Sequence, residues 1–198
     1  MSLIDNDAGL QLFQVIQNMG ELHTNPVLNL LGENPNIIEN QKYPTGYLCF
    51  GSETWCAYYH CHAAPNKLMN EHGHFHIFAR LEDEIHNSQA WSNLVALAMD
   101  NMGQPLSWFT VNHWVTGKIW KSANELNILL ENLPIVRDES LVEQWLIAML
   151  RFYRANIQEL LENRDTQINA LKTRTGKEIL EDCNYYELST QSINLLKE

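Results

Sequence analysis

The sequence predicts an α+β fold: an antiparallel sheet of about five strands with N- and C-terminal helices packed on one face. Both ends of the chain carry apolar residues at helical spacing. The middle carries short alternating runs of apolar and polar residues, and turn residues separate these runs. The 198 residues, 45% of them hydrophobic, suffice for one sizeable core, so we expect a single domain over residues 1–198.

Charge and hydropathy restrict the partners. The chain has 24 acidic and 13 basic residues, a formal net charge of -11, and its basic residues form no cluster, so no nucleic-acid partner is expected. No run approaches the roughly 20 apolar residues of a membrane-spanning helix, and the start lacks a leader pattern. We therefore expect no membrane partner and a cytoplasmic location, while the oligomeric state is left open.

The first element is a predicted helix that Asp7 can cap and that Gly20 can end. Its expected core-facing stripe consists of Leu10, Phe13, Val15, Ile16 and Met19. Residues 24–36 are rich in proline and asparagine and predict a loop with at most a turn or two of helix.

Short β-rich runs follow and predict an antiparallel meander. The runs lie at about residues 47–50, 54–62, 73–80, 94–100 and 106–114. The sequence DNMGQP joins the last two and is typical of a turn.

The remainder of the chain predicts helices. Ser122 with Glu125, and Ser140 with Glu143, fit the capping box in which hydroxyl and carboxylate satisfy the exposed amides of a helix start. After Ser140 one long helix is expected, with a core-facing stripe of Leu141, Trp145, Met149, Phe152, Ile157 and Leu160. Residues 180–198 are ambiguous between a terminal helix and an extended strand.

The most informative stretch runs from Tyr58 to Arg80 and holds five of the eight histidines. Side chains alternate between the two faces of a strand, so these histidines share one face of a predicted hairpin. The opposite, apolar face includes Tyr59, Phe75 and Ile77, and helices should pack there. With the loop centred near Lys67, the expected cross-strand pairs are His62 with His72, His60 with His74, and Tyr58 with His76.

Clustered imidazoles predict a ligand pocket, because imidazole is the commonest protein ligand for zinc, iron, copper and nickel. We expect a divalent transition metal, with zinc or iron favoured, or another small-molecule ligand. The predicted metal ligands are His60, His62, His72, His74 and His76.

Whether the pocket is catalytic is left open. A metal-dependent enzyme would need a nearby general acid or base, for which the candidates are Tyr58, Glu71 and Asp100. Asn112 and His113 would join them only if the sheet order brings them to the pocket. A non-enzymatic alternative is a pH-responsive binding module, because imidazoles titrate near neutrality.

The segment HGHFHIF, residues 72–78, resembles the histidine-triad motif of nucleotide hydrolases and transferases. In that family three alternating histidines lie on a strand. The resemblance implies that His74 is a nucleophile that attacks an α-phosphate. It is local, because His60 and His62 have no role in that mechanism.

A second resemblance spans most of the chain. Its motifs are Tyr43-Pro44-x-Gly46, Tyr58-Tyr59-His60-x-His62, Glu71 to Arg80, Met99-Asp100-x-x-Gly103-x-Pro105, Thr110-x-Asn112-x-Trp114-Val115-Thr116-Gly117-x-x-Trp120, and Leu180-Glu181-Asp182 to Leu188-Ser189. In these motifs the chain resembles an uncharacterised bacterial family with a domain of unknown function. That resemblance implies no activity.

Overall fold

A computed structural model describes residues 3–32, 37–61, 70–134 and 140–193 of the protein, with side chains described from Asp7 onward. Its strands are β1 Tyr43–Phe50, β2 Trp55–His60, β3 Glu71–Ala79, β4 Ser92–Asp100, β5 Pro105–Val111 and β6 Glu187–Ser192. Its helices are α1 Leu3–Glu21, α2 Pro26–Leu31, α3 His113–Thr116, α4 Ala123–Glu131, α5 Leu141–Phe152 and α6 Arg154–Thr175, with a 3-10 turn at Glu82–Glu84.

The α+β prediction is confirmed, and the sheet has six strands where about five were expected. Their order is β1-β2-β3-β4-β5-β6, and each strand is antiparallel to its neighbours. The additional strand, β6, comes from the ambiguous C-terminal stretch. Its Ser189 hydroxyl lies 2.6 Å from the Thr110 hydroxyl of β5 and donates to the Leu160 carbonyl of α6 at 2.9 Å. These contacts join the polar edge strand to both layers.

One face of the sheet carries the hydrophobic core, as predicted. Tyr59 of β2 and Phe75 of β3 lie in the same buried cluster as Val15 of α1, Trp145 of α5 and Leu161 of α6. Both capping boxes are present, at the start of α4 and of α5. None of the helices in the described residues is long and apolar enough to cross a membrane.

α1 packs through a different stripe from the one predicted. Its buried residues include Ala8, Leu12, Val15 and Met19. Leu10, Phe13 and Ile16 are 56%, 63% and 41% exposed, so the prediction is wrong for these three. Gly9 lies on the buried side of this helix, where a Cβ would lie only 3.3 Å from the Phe152 ring of α5. The missing side chain lets the two helices approach on this side.

The expected single helix after Ser140 is wrong, because two helices meet at Tyr153. The residue has φ -94° and ψ 16°, which ends α5 and begins α6. Its ring is buried, and its centroid lies 6.1 Å from that of Trp108 on β5. A tertiary contact thus accompanies the break.

Candidate metal centre

The site is built on the β2–β3 hairpin, whose predicted register is confirmed. His60 lies opposite His74, and Tyr58 lies opposite His76. Alternation therefore places these side chains on the face turned away from the helices. His62 lies outside the described residues.

Three imidazoles converge on this face. The ring centroids of His60 and His74 are 4.6 Å apart, those of His60 and His76 are 5.1 Å apart, and those of His74 and His76 are 4.9 Å apart. One nitrogen from each ring lies within 4.8 Å of the others. A tetrahedral zinc site with bonds of about 2.0 Å places its nitrogens about 3.3 Å apart. Each pair of nitrogens therefore has at most about 1.5 Å to close to reach that spacing.

His72 does not join the three rings, because a β-bulge interrupts β3. Glu71 pairs with Asp100 and Gly73 with Met99, so β3 has one extra residue at this point. The His72 ring stacks on Tyr59 at 6.1 Å, and its Nδ1 hydrogen-bonds the Tyr59 hydroxyl at 2.9 Å. Tyr59 belongs to the helix-covered face, so the expectation that His72 shares the face of His74 is wrong.

The same bulge brings Glu71 to the histidines. Strict alternation would place residues 71 and 74 on opposite faces, but the extra residue restores Glu71 to the side of His74. The Nδ1 atom of His74 donates to Glu71 Oε1 at 2.7 Å, and the two side chains are only 3% and 8% exposed. This bond leaves Nε2 as the nitrogen of His74 that can bind a metal.

Small and aromatic side chains surround the imidazoles. Ala96 and Ala98 of β4 lie opposite His76 and His74, so the side chains directly across from these two imidazoles are small. The Phe109 ring of β5 stands edge-on to His74 at 5.3 Å. His74 and His76 are 2% and 0% exposed, which makes the centre largely dry.

Tyr58 borders the centre on its other side. Its ring centroid lies 5.3 Å from those of both His60 and His76. Burial raises the pKa of the phenol well above its ordinary value, so Tyr58 stays protonated and can donate a hydrogen bond. This favours a donor role over that of a general base.

A second carboxylate, Glu187 of β6, interacts with Glu71. Burial, and then the negative charge of Glu71, raise the pKa of Glu187 to about 7. The sequence offered no signal for this residue, because β6 joins the sheet from the far end of the chain.

The other sequence candidates have structural roles. Asp100 Oδ1 accepts the amides of Met102 and Gln104, both at 2.8 Å, and so stabilises the β4–β5 turn. Asn112 does not line the centre, because its amide donates to the carbonyls of Ile179 and Tyr185 at 2.7 and 3.1 Å.

His113 pairs with Glu181 and does not belong to the three-histidine cluster. The histidine-triad hypothesis rested on three alternating histidines on one face of a strand. The structure does not have this arrangement, because His72 and His74 lie on opposite faces of β3. The assignment of His74 as a nucleophile remains a prediction.

Comparison with known proteins assigns the chain to a family. The model of the domain of unknown function DUF6969 matches residues 6–193. The chain belongs to the DUF6969 family. No curated protein and no solved structure matches it. Membership of DUF6969 confirms the resemblance to an uncharacterised family and brings no activity with it.

Four of the six motifs quoted for that resemblance form two structural groups in this DUF6969 chain. One group forms the histidine hairpin. The other ties the C-terminal segment to β5 and α3: the Trp114 indole donates to the Tyr185 carbonyl at 2.9 Å, and the Trp114 amide donates to Leu180 at 3.2 Å. Gly117, with φ 58°, then ends α3 in a conformation that favours glycine.

Proposed function

We propose that the protein binds one divalent transition metal ion through His60, His74 and His76. The observation that carries the proposal is the convergence of three imidazole nitrogens to within 4.8 Å, two of them on buried rings. Neutral imidazoles are poor ligands for magnesium or calcium, which prefer oxygen donors, and good ligands for zinc and iron.

The position of Glu71 favours zinc over iron. A mononuclear iron site commonly takes two histidines and one carboxylate as direct ligands. Glu71 is instead bonded to the outer nitrogen of His74, the place of a carboxylate that orients a zinc ligand. Three imidazoles would leave a fourth position for water or a ligand, where a bound metal can polarise an oxygen atom.

The direct test is the metal content of untagged protein purified without chelator, measured by elemental mass spectrometry. The wild type should carry about one metal ion per chain, and the H60N/H74Q double variant should carry almost none. His86→Ala is the matched control, because His86 is exposed and lies outside the cluster. Circular dichroism checks that each variant is folded.

Equal metal content in the wild type and the double variant, after exposure to excess zinc and iron, would overturn the proposal. Metal that disappears from the His86 variant as well would have the same consequence, because the binding would not depend on this face.

A further inference from the structure

Two lysines from distant parts of the chain lie near a pair of tyrosines, one of which contacts the histidines. Lys42 Nζ lies 4.2 Å from the ring centroid of Tyr58 and 5.8 Å from that of Tyr47. Lys118 Nζ lies 5.7 Å from the Tyr47 centroid. Lys42 precedes β1 and Lys118 follows α3, so the fold brings both ammonium groups to the Tyr47 ring.

The tyrosine pair joins the lysines to the candidate metal centre. The Tyr47 and Tyr58 centroids are 5.7 Å apart, and Tyr58 also contacts the rings of His60 and His76. One aromatic ring thus separates the Lys42 ammonium from two of the three proposed ligands. A molecule that reaches from the lysines to the histidines would pass along this ring.

The charges around the site are arranged asymmetrically. Within the described parts of the chain, no carboxylate lies within ion-pair distance of Lys42 or Lys118, although acidic residues outnumber basic ones 24 to 13. Burial and the charge of Lys118 lower the pKa of Lys42, as expected for two neighbouring cations. On the side of His74 the histidine cluster carries Glu71, whose negative charge also acts on Glu187.

We propose that Lys42 and Lys118 bind the anionic group, a carboxylate or a phosphate, of a small molecule whose other end reaches His60, His74 and His76. The positive end of the site attracts this group, while the acidic end repels it, so the charges fix the direction in which the molecule lies. The position of the other end rests on the proposed metal site, whereas anion binding by the lysines does not.

The test is a titration of metal-free and zinc-loaded protein with inorganic phosphate and, separately, with acetate, followed by amide NMR at low ionic strength. A pH of about 7.5 keeps most imidazoles neutral, so the lysines supply the positive charge. Wild-type protein should show saturable shifts near Tyr47 and Tyr58. The K42M/K118M double variant should bind at least about tenfold more weakly, and K42R/K118R should regain binding.

Lys172→Met is the matched control, because Lys172 forms an ion pair with Glu178 on the surface of α6, away from the cluster. Its affinity should equal that of the wild type. Saturable binding of phosphate alone, acetate alone or both identifies the anion and supports the proposal. No saturable binding, or equal binding by the K42M/K118M variant, would overturn the proposal. The lysines would then only pack against the tyrosine rings.

The metal content of the same samples separates the two proposals. Bound zinc without lysine-dependent anion binding refutes the anion site alone. Lysine-dependent anion binding by a protein that takes up no zinc refutes the metal proposal alone.

Discussion

Glu71 and His74 are hydrogen-bonded at 2.7 Å although they lie three positions apart, an odd spacing, along one strand. A regular strand would turn the two side chains to opposite faces. The bulge in β3 reverses the alternation between them, so it delivers a carboxylate to the imidazoles and removes His72 from them. One extra residue therefore determines the composition of the centre.

Replacement of Glu71 by glutamine should weaken zinc binding by about 10- to 100-fold, because a neutral amide no longer fixes the orientation and basicity of His74. Competition against a chromophoric chelator measures the affinity. Glu178→Gln, which alters an exposed ion pair, serves as the control and should bind normally. Unchanged affinity in Glu71→Gln would mean that His74 needs no outer carboxylate.

His72 and His76 should respond oppositely to alanine substitution. His76→Ala should abolish tight zinc binding. His72→Ala should leave the zinc affinity within about twofold and lower the free energy of unfolding by about 1 kcal/mol, because it removes the bond to the Tyr59 hydroxyl. Zinc titration and urea unfolding provide the two readouts. Loss of zinc binding in His72→Ala would show that the bulge does not separate this ring from the centre.

Gly73→Ala should disrupt the hairpin. The added Cβ would lie 2.7 Å from the His60 carbonyl oxygen and 2.8 Å from Tyr59 Cζ, so backbone and ring must move apart. We expect unfolding free energy to fall by about 1–3 kcal/mol and zinc affinity to fall with it. Gly20→Ala is the control, since its Cβ meets nothing within 4 Å inside α1, and it should be neutral or stabilising. A Gly73 variant as stable as wild type contradicts this geometry.

Glu187 should make the metal-free protein less stable as the pH rises. Its pKa is raised from 4.5 to about 7 on folding, so its favourable contribution is complete below pH 4.5 and is lost as the pH passes through 7. After allowance for solvent screening of this half-buried group, the loss should be about 1 kcal/mol. Urea unfolding of Glu187→Gln should show a smaller decline between pH 5 and about pH 8. If the unfolding free energies of the wild type and Glu187→Gln changed with pH in parallel, this would argue against a raised pKa of Glu187.

Asn112→Ala should be among the more damaging polar substitutions. The fully buried amide donates to two carbonyls of the C-terminal segment and accepts the His113 amide at 2.9 Å. Leaving these groups without partners should cost about 3 kcal/mol of unfolding free energy. Asn132→Ala, at an exposed helix end, should cost less than about 1 kcal/mol. Equal losses of unfolding free energy in the two variants, measured by thermal and urea unfolding, would show that the hydrogen bonds of Asn112 contribute little to stability.

Local patterns predicted much of this fold. The alternation of apolar and polar residues identified the apolar face of β2 and β3. Centring the predicted hairpin near Lys67 gave the pairing of His60 with His74. The capping residues Ser122 and Ser140 located two helix starts. Each of these features depends on residues close together in the sequence.

The failures share a physical cause: tertiary contacts selected between locally equivalent alternatives. Leu10 and Leu12 both fit an apolar stripe of α1, and packing against α5, including the close approach at Gly9, accompanies the burial of Leu12. Tyr153 has no helix-breaking chemistry, yet α5 ends there. The bulge beside Gly73 could not be predicted from alternation, because the alternation rule assumes a regular strand without an extra residue. Glu187, Lys42 and Lys118 reach the site through the topology alone.

The three histidines of the cluster lie on one hairpin, so they can come together before distant parts of the chain join the sheet. Only 10 residues separate His60 from Glu71 in the sequence, whereas β5 and β6 are joined through residues 112–186, which include α3 to α6. Closing the longer loop costs about 2 kcal/mol more in chain entropy. We therefore expect the imidazoles to meet early in folding, before β6 completes the sheet. A metal captured at that stage would act as a nucleus for the strands that follow.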